Sequence, residues 1–67
     1  MMKIRINGKT EEVQVATVED LLTSKNIEPQ MVSVEVNAAL IERDAYKSTR
    51  LGEGDQVEFL FFMGGGR

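Results

Sequence analysis

The residues of this chain best suited to chemistry are its plainest, Gly64-Gly65-Gly66-Arg67, which follow directly on its most apolar stretch, Val57-Glu58-Phe59-Leu60-Phe61-Phe62-Met63. Three successive glycines have no side chains to bury and lose the most backbone entropy on ordering, so they add nothing to a core and are expected to stay mobile. Without Cβ atoms the segment can enter a channel too narrow for other peptides. At ~3.3 Å per residue, the four positions Met63 to Gly66 reach about 13 Å from a folded body. A carboxylate on that stalk is deliverable into another protein's active site. At ordinary glycine usage a triple at one given place arises by chance on the order of once in 3,000, which argues that this one is used.

The remaining inventory is nearly bare. The 67 residues include no cysteine and no histidine, which removes disulfide scaffolds, thiol nucleophiles and imidazole bases and leaves no ordinary zinc site. Gly52 and Gly54 read as turn glycines, because no helix opens after them to cradle a phosphate. Eight basic against eleven acidic residues give a formal charge of −3. Non-specific nucleic-acid binding needs a basic face to displace counterions, so the expected partner is a protein. The start, Met1-Met2-Lys3-Ile4-Arg5, lacks a long apolar run, and no stretch nears the roughly 18 apolar residues of a membrane span. The expectation is a cytoplasmic protein, monomeric when free. A single domain of this size buries roughly 60% of its unfolded surface and is only modestly stable.

The elements that must position the tail follow from hydrophobic period. Met2, Ile4 and Ile6 alternate with Lys3 and Arg5 as a half-buried strand, and Asn7-Gly8 is a strong hairpin signal. A second strand returns through Val13 and Val15. Thr17 is placed as a helix N-cap with Asp20 three residues on in a capping-box arrangement, and Val18, Leu21 and Leu22 share one helical face. The helix ends near Lys25-Asn26, since Glu28 before Pro29 is pushed out of the α region. Val32, Val34 and Val36 alternate with Ser33 and Glu35 as a third strand that turns at Asn37-Ala38. Leu40-Ile41 forms a brief fourth strand. Arg43 to Ser48 has no clear period and reads as an irregular turn, Leu51 to Asp55 as a tight bend, and Gln56 to about Phe62 as the final strand.

This order predicts an α+β domain with the β-grasp layout, a mixed sheet of four to five strands with one main helix packed on one face. The first and last strands lie parallel at the centre, because the intervening helix and crossover carry the chain across the sheet. Residues 1–63 form the domain and 64–67 a flexible tail. In the last strand Val57, Phe59 and Phe61 share a side, and Glu58, Leu60 and Phe62 the other; the glutamate marks the second side as outward. Two readings of Leu60 and Phe62 follow. Either they pack beneath the segment from Ala38 to Arg50, or together with Met63 they form a patch where a partner docks and aims the tail.

In order and spacing these pieces resemble the ubiquitin-like sulfur carriers, and among them the carriers of the thiamin pathway. The resemblance covers nearly the whole chain and rests on Ile6-Asn7-Gly8, Thr17-Val18-Glu19-Asp20-Leu21-Leu22, Val36-Asn37, Ile41 with Arg43 and Tyr46, Gly54-Asp55 with Val57, and the glycine tail. The small subunit of molybdopterin synthase is less similar, being usually longer and carrying a proline-containing stretch where this chain has Phe61-Phe62-Met63. The resemblance implies that the carrier is not an enzyme and binds no cofactor. A partner adenylyltransferase of the ThiF type, using ATP and magnesium, would activate the Gly66 carboxylate while Gly64 and Gly65 enter its site. A cysteine desulfurase or other persulfide donor would supply sulfur, and the resulting thiocarboxylate would serve thiazole synthase. Carriers for molybdenum cofactor, amino-acid sulfuration or RNA thiolation fit the same tail. So does a β-grasp interaction module whose tail is idle.

One departure from the family pattern is Arg67, which masks the Gly66 carboxylate. Either a peptidase removes it before activation, or it was added in producing the protein, or the tail is never activated. Of the other single residues, Tyr46 is expected to cover the core edge with the Arg43 stem beside it. Asn37 is expected to bond within its own turn. Glu11, Glu12, Glu19 and Glu28 read as solvated.

Overall fold

The computed structural model describes residues 1–62. The residues expected to form the tail, Gly64, Gly65, Gly66 and Arg67, and Met63 before them, lie outside the described residues.

Five strands and one helix follow in the order β1 (Met2–Ile6), β2 (Lys9–Val13), α1 (Val18–Ser24), β3 (Val32–Val36), β4 (Ala39–Ile41) and β5 (Gln56–Phe61), with short 3₁₀ turns at Pro29–Met31 and Arg43–Ala45. The sheet order is β2-β1-β5-β3-β4. β1 and β5 are parallel, with Arg5 beside Gln56 and Ile6 beside Val57, and the other pairs are antiparallel. β5 therefore sits between the two hairpins and joins them. β1 and β2 turn at Asn7 and Gly8, both with positive φ, as a two-residue hairpin requires. The second strand stops at Val13, paired with Met2 at the start of β1 and short of the expected Val15.

Helix α1 is only seven residues long, too short to persist alone, so its ends and its buried face hold it. Its four leading N–H groups are all satisfied. Val18 donates to the Thr49 carbonyl, Glu19 to that of Tyr46, Asp20 to Thr17 Oγ1 and Leu21 to the Thr17 carbonyl. Asp20 Oδ2 reciprocates by accepting from the N–H groups of Ala16 and Thr17, completing the capping box. At the other end Asn26 takes φ +58 where glycine is usual, and the Asn26 and Ile27 N–H groups bond the Thr23 and Leu22 carbonyls in a Schellman closure.

The buried helix residues Val18, Leu21 and Leu22 meet Ile4, Ile6, Val32, Val34, Val57 and Phe59 from the sheet, with Tyr46 and Leu51 sealing the margin. Among the described residues every buried one is apolar apart from the Tyr46 hydroxyl, which points at the Val32 carbonyl from 3.5 Å. Phe61 departs from the expected pattern. It shares a side with Val57 and Phe59 yet is 53% exposed. A seven-residue helix covers about 10 Å, and the six residues of β5 run about twice as far, so the last turn of the strand outruns its cover.

Candidate functional site

The described residues that lead into the glycines are those of β5, and four sets of bonds hold the strand. At its start the Gly52–Asp55 bend lies against β1: Gly54 N–H donates to the Lys3 carbonyl, Arg5 N–H to that of Asp55, and Lys3 N–H to Glu53 Oε1. Asn37 grips the same place from the other flank, its amide donating to Asp55 Oδ1 at 3.1 Å and accepting from Gln56 N–H at 3.0 Å. Its side chain thus reaches across to another element instead of bonding within its own turn as expected. Near the end of β5, Asn7 Oδ1 accepts from Phe59 N–H at 2.7 Å. On the β3 flank, pairing continues to the end, where Phe62 N–H donates to the Met31 carbonyl.

Leu60 and Phe62, expected on one outward surface, meet different surroundings. Leu60 stands opposite Ser33 on the sheet face away from α1 and is 55% exposed. Phe62 is half exposed and lines a shallow groove with Ile41, Glu42, Arg43 and Tyr46. The 38–50 segment thus walls one side of Phe62 and leaves Leu60 open. Alternation alone could not separate them, because β5 has ended before Phe62. Leu40, also exposed, lies on the same open face across from Glu35.

Two carboxylates face each other at the middle of that surface, Glu35 on β3 and Glu58 on β5. Like charges directly opposed across a ladder are unfavourable, so a partner covering this face gains by bringing basic groups. Elsewhere Glu11, one of the acids expected to be solvated, is paired with Lys25 at 2.8 Å, tying the end of α1 to β2. Tyr46 lies in the core and Arg43 outside it. Among the described residues no group of three His, Cys, Asp or Glu side chains is placed to hold a metal ion, and no helix is long and apolar enough to cross a membrane.

Comparison with known proteins bears on this strand and its continuation. The ThiS family model matches residues 4–66. The sulfur carrier protein ThiS of Bacillus subtilis is 34% identical over 65 residues, 94% of this chain and 98% of its own. A crystal structure of thiamine biosynthesis protein ThiS from Geobacter metallireducens superposes with a TM-score of 0.82 at 40% identity, covering 97% of this chain and all of that one. A thiazole synthase of Magnetococcus marinus is 39% identical over 67 residues, 98% of this chain. The chain spans only about a fifth of that protein and of a second thiazole synthase, from Paramagnetospirillum magneticum.

Proposed function

The chain belongs to the ThiS family, and from that premise we propose that it is a sulfur carrier of thiamin biosynthesis that works as a protein co-substrate through the carboxylate of Gly66. The observation that carries this reading is the extent of the family match. It runs through all three glycines, ends on Gly66 and leaves Arg67 outside. Removal of whatever follows Gly66 would then expose the reacting group.

A carboxylate is a poor electrophile, because its charge repels nucleophiles and oxide is a bad leaving group. One carboxylate oxygen attacks the α-phosphorus of ATP and displaces pyrophosphate, and the acyl-adenylate that forms removes both obstacles. A persulfide sulfur then attacks the carbonyl carbon and AMP departs. The product is an acyl disulfide, and a thiol that cleaves the S–S bond the persulfide brought leaves as a mixed disulfide with the donor and frees the glycyl thiocarboxylate, a nucleophilic sulfur on a protein handle. In this reading the adenylyltransferase is of the ThiF type and supplies ATP and magnesium, a cysteine desulfurase or other persulfide donor supplies sulfur, and all act in the cytoplasm. Thiazole synthase as acceptor is supported by the two relatives of that name that contain a stretch similar to this chain.

None of these steps asks the carrier for a base, a thiol or a metal ligand, and the chain has no histidine or cysteine to offer. Its own contribution is positional. β5 is bonded on both flanks as far as Phe59, and on its β3 flank to Phe62, so the strand that precedes the glycines in sequence is held in place. Intact-mass measurement of the protein made in its native host tests the proposal. A species ending at Gly66 with one oxygen replaced by sulfur is expected; if the trimmed species never acquires sulfur in the presence of ATP, the cognate adenylyltransferase and a persulfide donor, the proposal fails.

A further inference from the structure

The end of β5 has one flank that the fold does not use. N–H and C=O groups of successive residues point to alternate sides of a strand. Glu58 and Leu60 face β3, and Phe62 N–H continues that series to Met31. Val57, Phe59 and Phe61 therefore address the lane of β1. That lane is filled only as far as Asn7: Asn7 N–H donates to the Val57 carbonyl, the Asn7 side chain takes the Phe59 N–H, and the chain then turns away at Gly8. Beyond it the Phe59 carbonyl and both backbone groups of Phe61 have no partner among the described residues.

Side chains mark the same place. Phe61 is 53% exposed on the helix side of the sheet, edge-on to Phe59, and Leu60 is 55% exposed on the open side. An apolar, unpaired stretch of strand is a liability that folds ordinarily blunt with charge, proline or a bulge. None of these stands between Phe59 and Phe62.

We propose that this overhang takes up an extended segment of the partner enzyme, thiazole synthase in the reading above, which adds as a short strand beside Phe59–Phe61 in the lane that β1 vacates. The chemistry defines the occupant. Alternating acceptor, donor and acceptor on one flank are matched by a stretch of about three residues of backbone in β conformation. Apolar side chains on that stretch would cover Phe61 on one face and Leu60 on the other. The strand so extended is the one that runs on into the glycines, so the added segment and the tail would enter the partner together, and pairing would set the direction of entry. The identity of the partner rests on the functional reading; the strand addition rests on the unpaired backbone.

Amide hydrogen exchange of the carrier, alone and with the thiazole synthase of the same organism, tests the proposal. Phe61 N–H should exchange freely in the isolated carrier and at least tenfold more slowly in the complex, while Phe59 N–H, already held by Asn7, changes little. A variant pair isolates the backbone group. Phe61→Ala removes the ring and Phe61→Pro removes the N–H as well, from a flank that makes no bond among the described residues. Phe61→Pro should bind at least tenfold more weakly than Phe61→Ala. Equal binding by the two variants, a Phe61 amide that stays unprotected in a formed complex, or absence of any complex overturns the proposal. Sulfur loading of the tail is read separately by mass, so a carrier that loads normally while Phe61 stays unprotected refutes the strand addition alone.

Discussion

Asn7 and Phe59, fifty-two residues apart, are joined by a 2.7 Å hydrogen bond in which a turn side chain accepts the N–H that the β1–β5 ladder leaves behind. Asn7 also sits at φ +50. Asn7→Ala leaves a part-buried N–H unpaired, at about 1–3 kcal/mol, and places alanine in the left-handed region, at about 1–2 kcal/mol. Urea denaturation should show a loss of about 2–5 kcal/mol for Asn7→Ala and under half of that for Asn7→Asp, which keeps both the acceptor and the tolerance of positive φ. Equal losses for the two variants would show that neither the bond nor the tolerance of positive φ contributes.

The β3–β4 turn is suboptimal. Its second residue, Ala38, has φ +71 where glycine is preferred. Ala38→Gly should raise stability by about 0.5–1 kcal/mol after allowing for the more mobile unfolded chain. For a domain of this size that is an increase of roughly 2–8 °C in Tm, measurable by calorimetry.

Thr17 and Asp20 act as a unit at the head of α1. Thr17→Ala should cost about 1 kcal/mol. Because the two side chains share one cap, the double variant with Asp20→Ala should lose less than the sum of the single losses, by about 0.5 kcal/mol or more. Strict additivity in chemical denaturation would contradict the reciprocal geometry.

Neighbouring residues on β5 should behave as opposites. Phe59 is buried and Leu60 is mostly exposed. Phe59→Ala should remove about 3–5 kcal/mol, close to the whole stability of so small a domain, and leave the chain largely unfolded by circular dichroism. Leu60→Ser should stay within about 0.5 kcal/mol of the parent but weaken binding of the adenylyltransferase or of thiazole synthase, measured by calorimetry.

At the proposed reacting end, Gly66→Ala should leave Tm unchanged and reduce thiocarboxylate formation at least tenfold, scored by intact mass after incubation with ATP, the adenylyltransferase and a persulfide donor. Loading equal to that of the parent would remove the argument for a slender tail.

Much of this molecule could be read from local pattern. Ile4 and Ile6, Val32, Val34 and Val36, and Val57 and Phe59 alternate in sequence and are all buried. Asn7-Gly8 and the Thr17–Asp20 pair encode a turn and a cap within four residues each. What escaped were relations between distant segments. Neither the Asn7 to Phe59 bond nor the clamp of Asn37 on Asp55 and Gln56 has a local signature, since each needs the sheet order to bring its partners together. Exposure of Phe61 depends on comparing the length of α1 with that of β5, and the groove around Phe62 on where β5 stops. The glycine run was visible because it is a composition; the flank from which it departs was visible only in three dimensions.

Insertion of β5 between the two hairpins makes it the keystone of the sheet. During synthesis β1–β2 and β3–β4 leave the ribosome first, each lacking the neighbour that completes it. The sheet can close only once β5 has emerged. A chain broken off ahead of β5 would therefore be left as two hairpins without the strand that joins them. Completion of the sheet thus waits on the strand that directly precedes the tail in sequence.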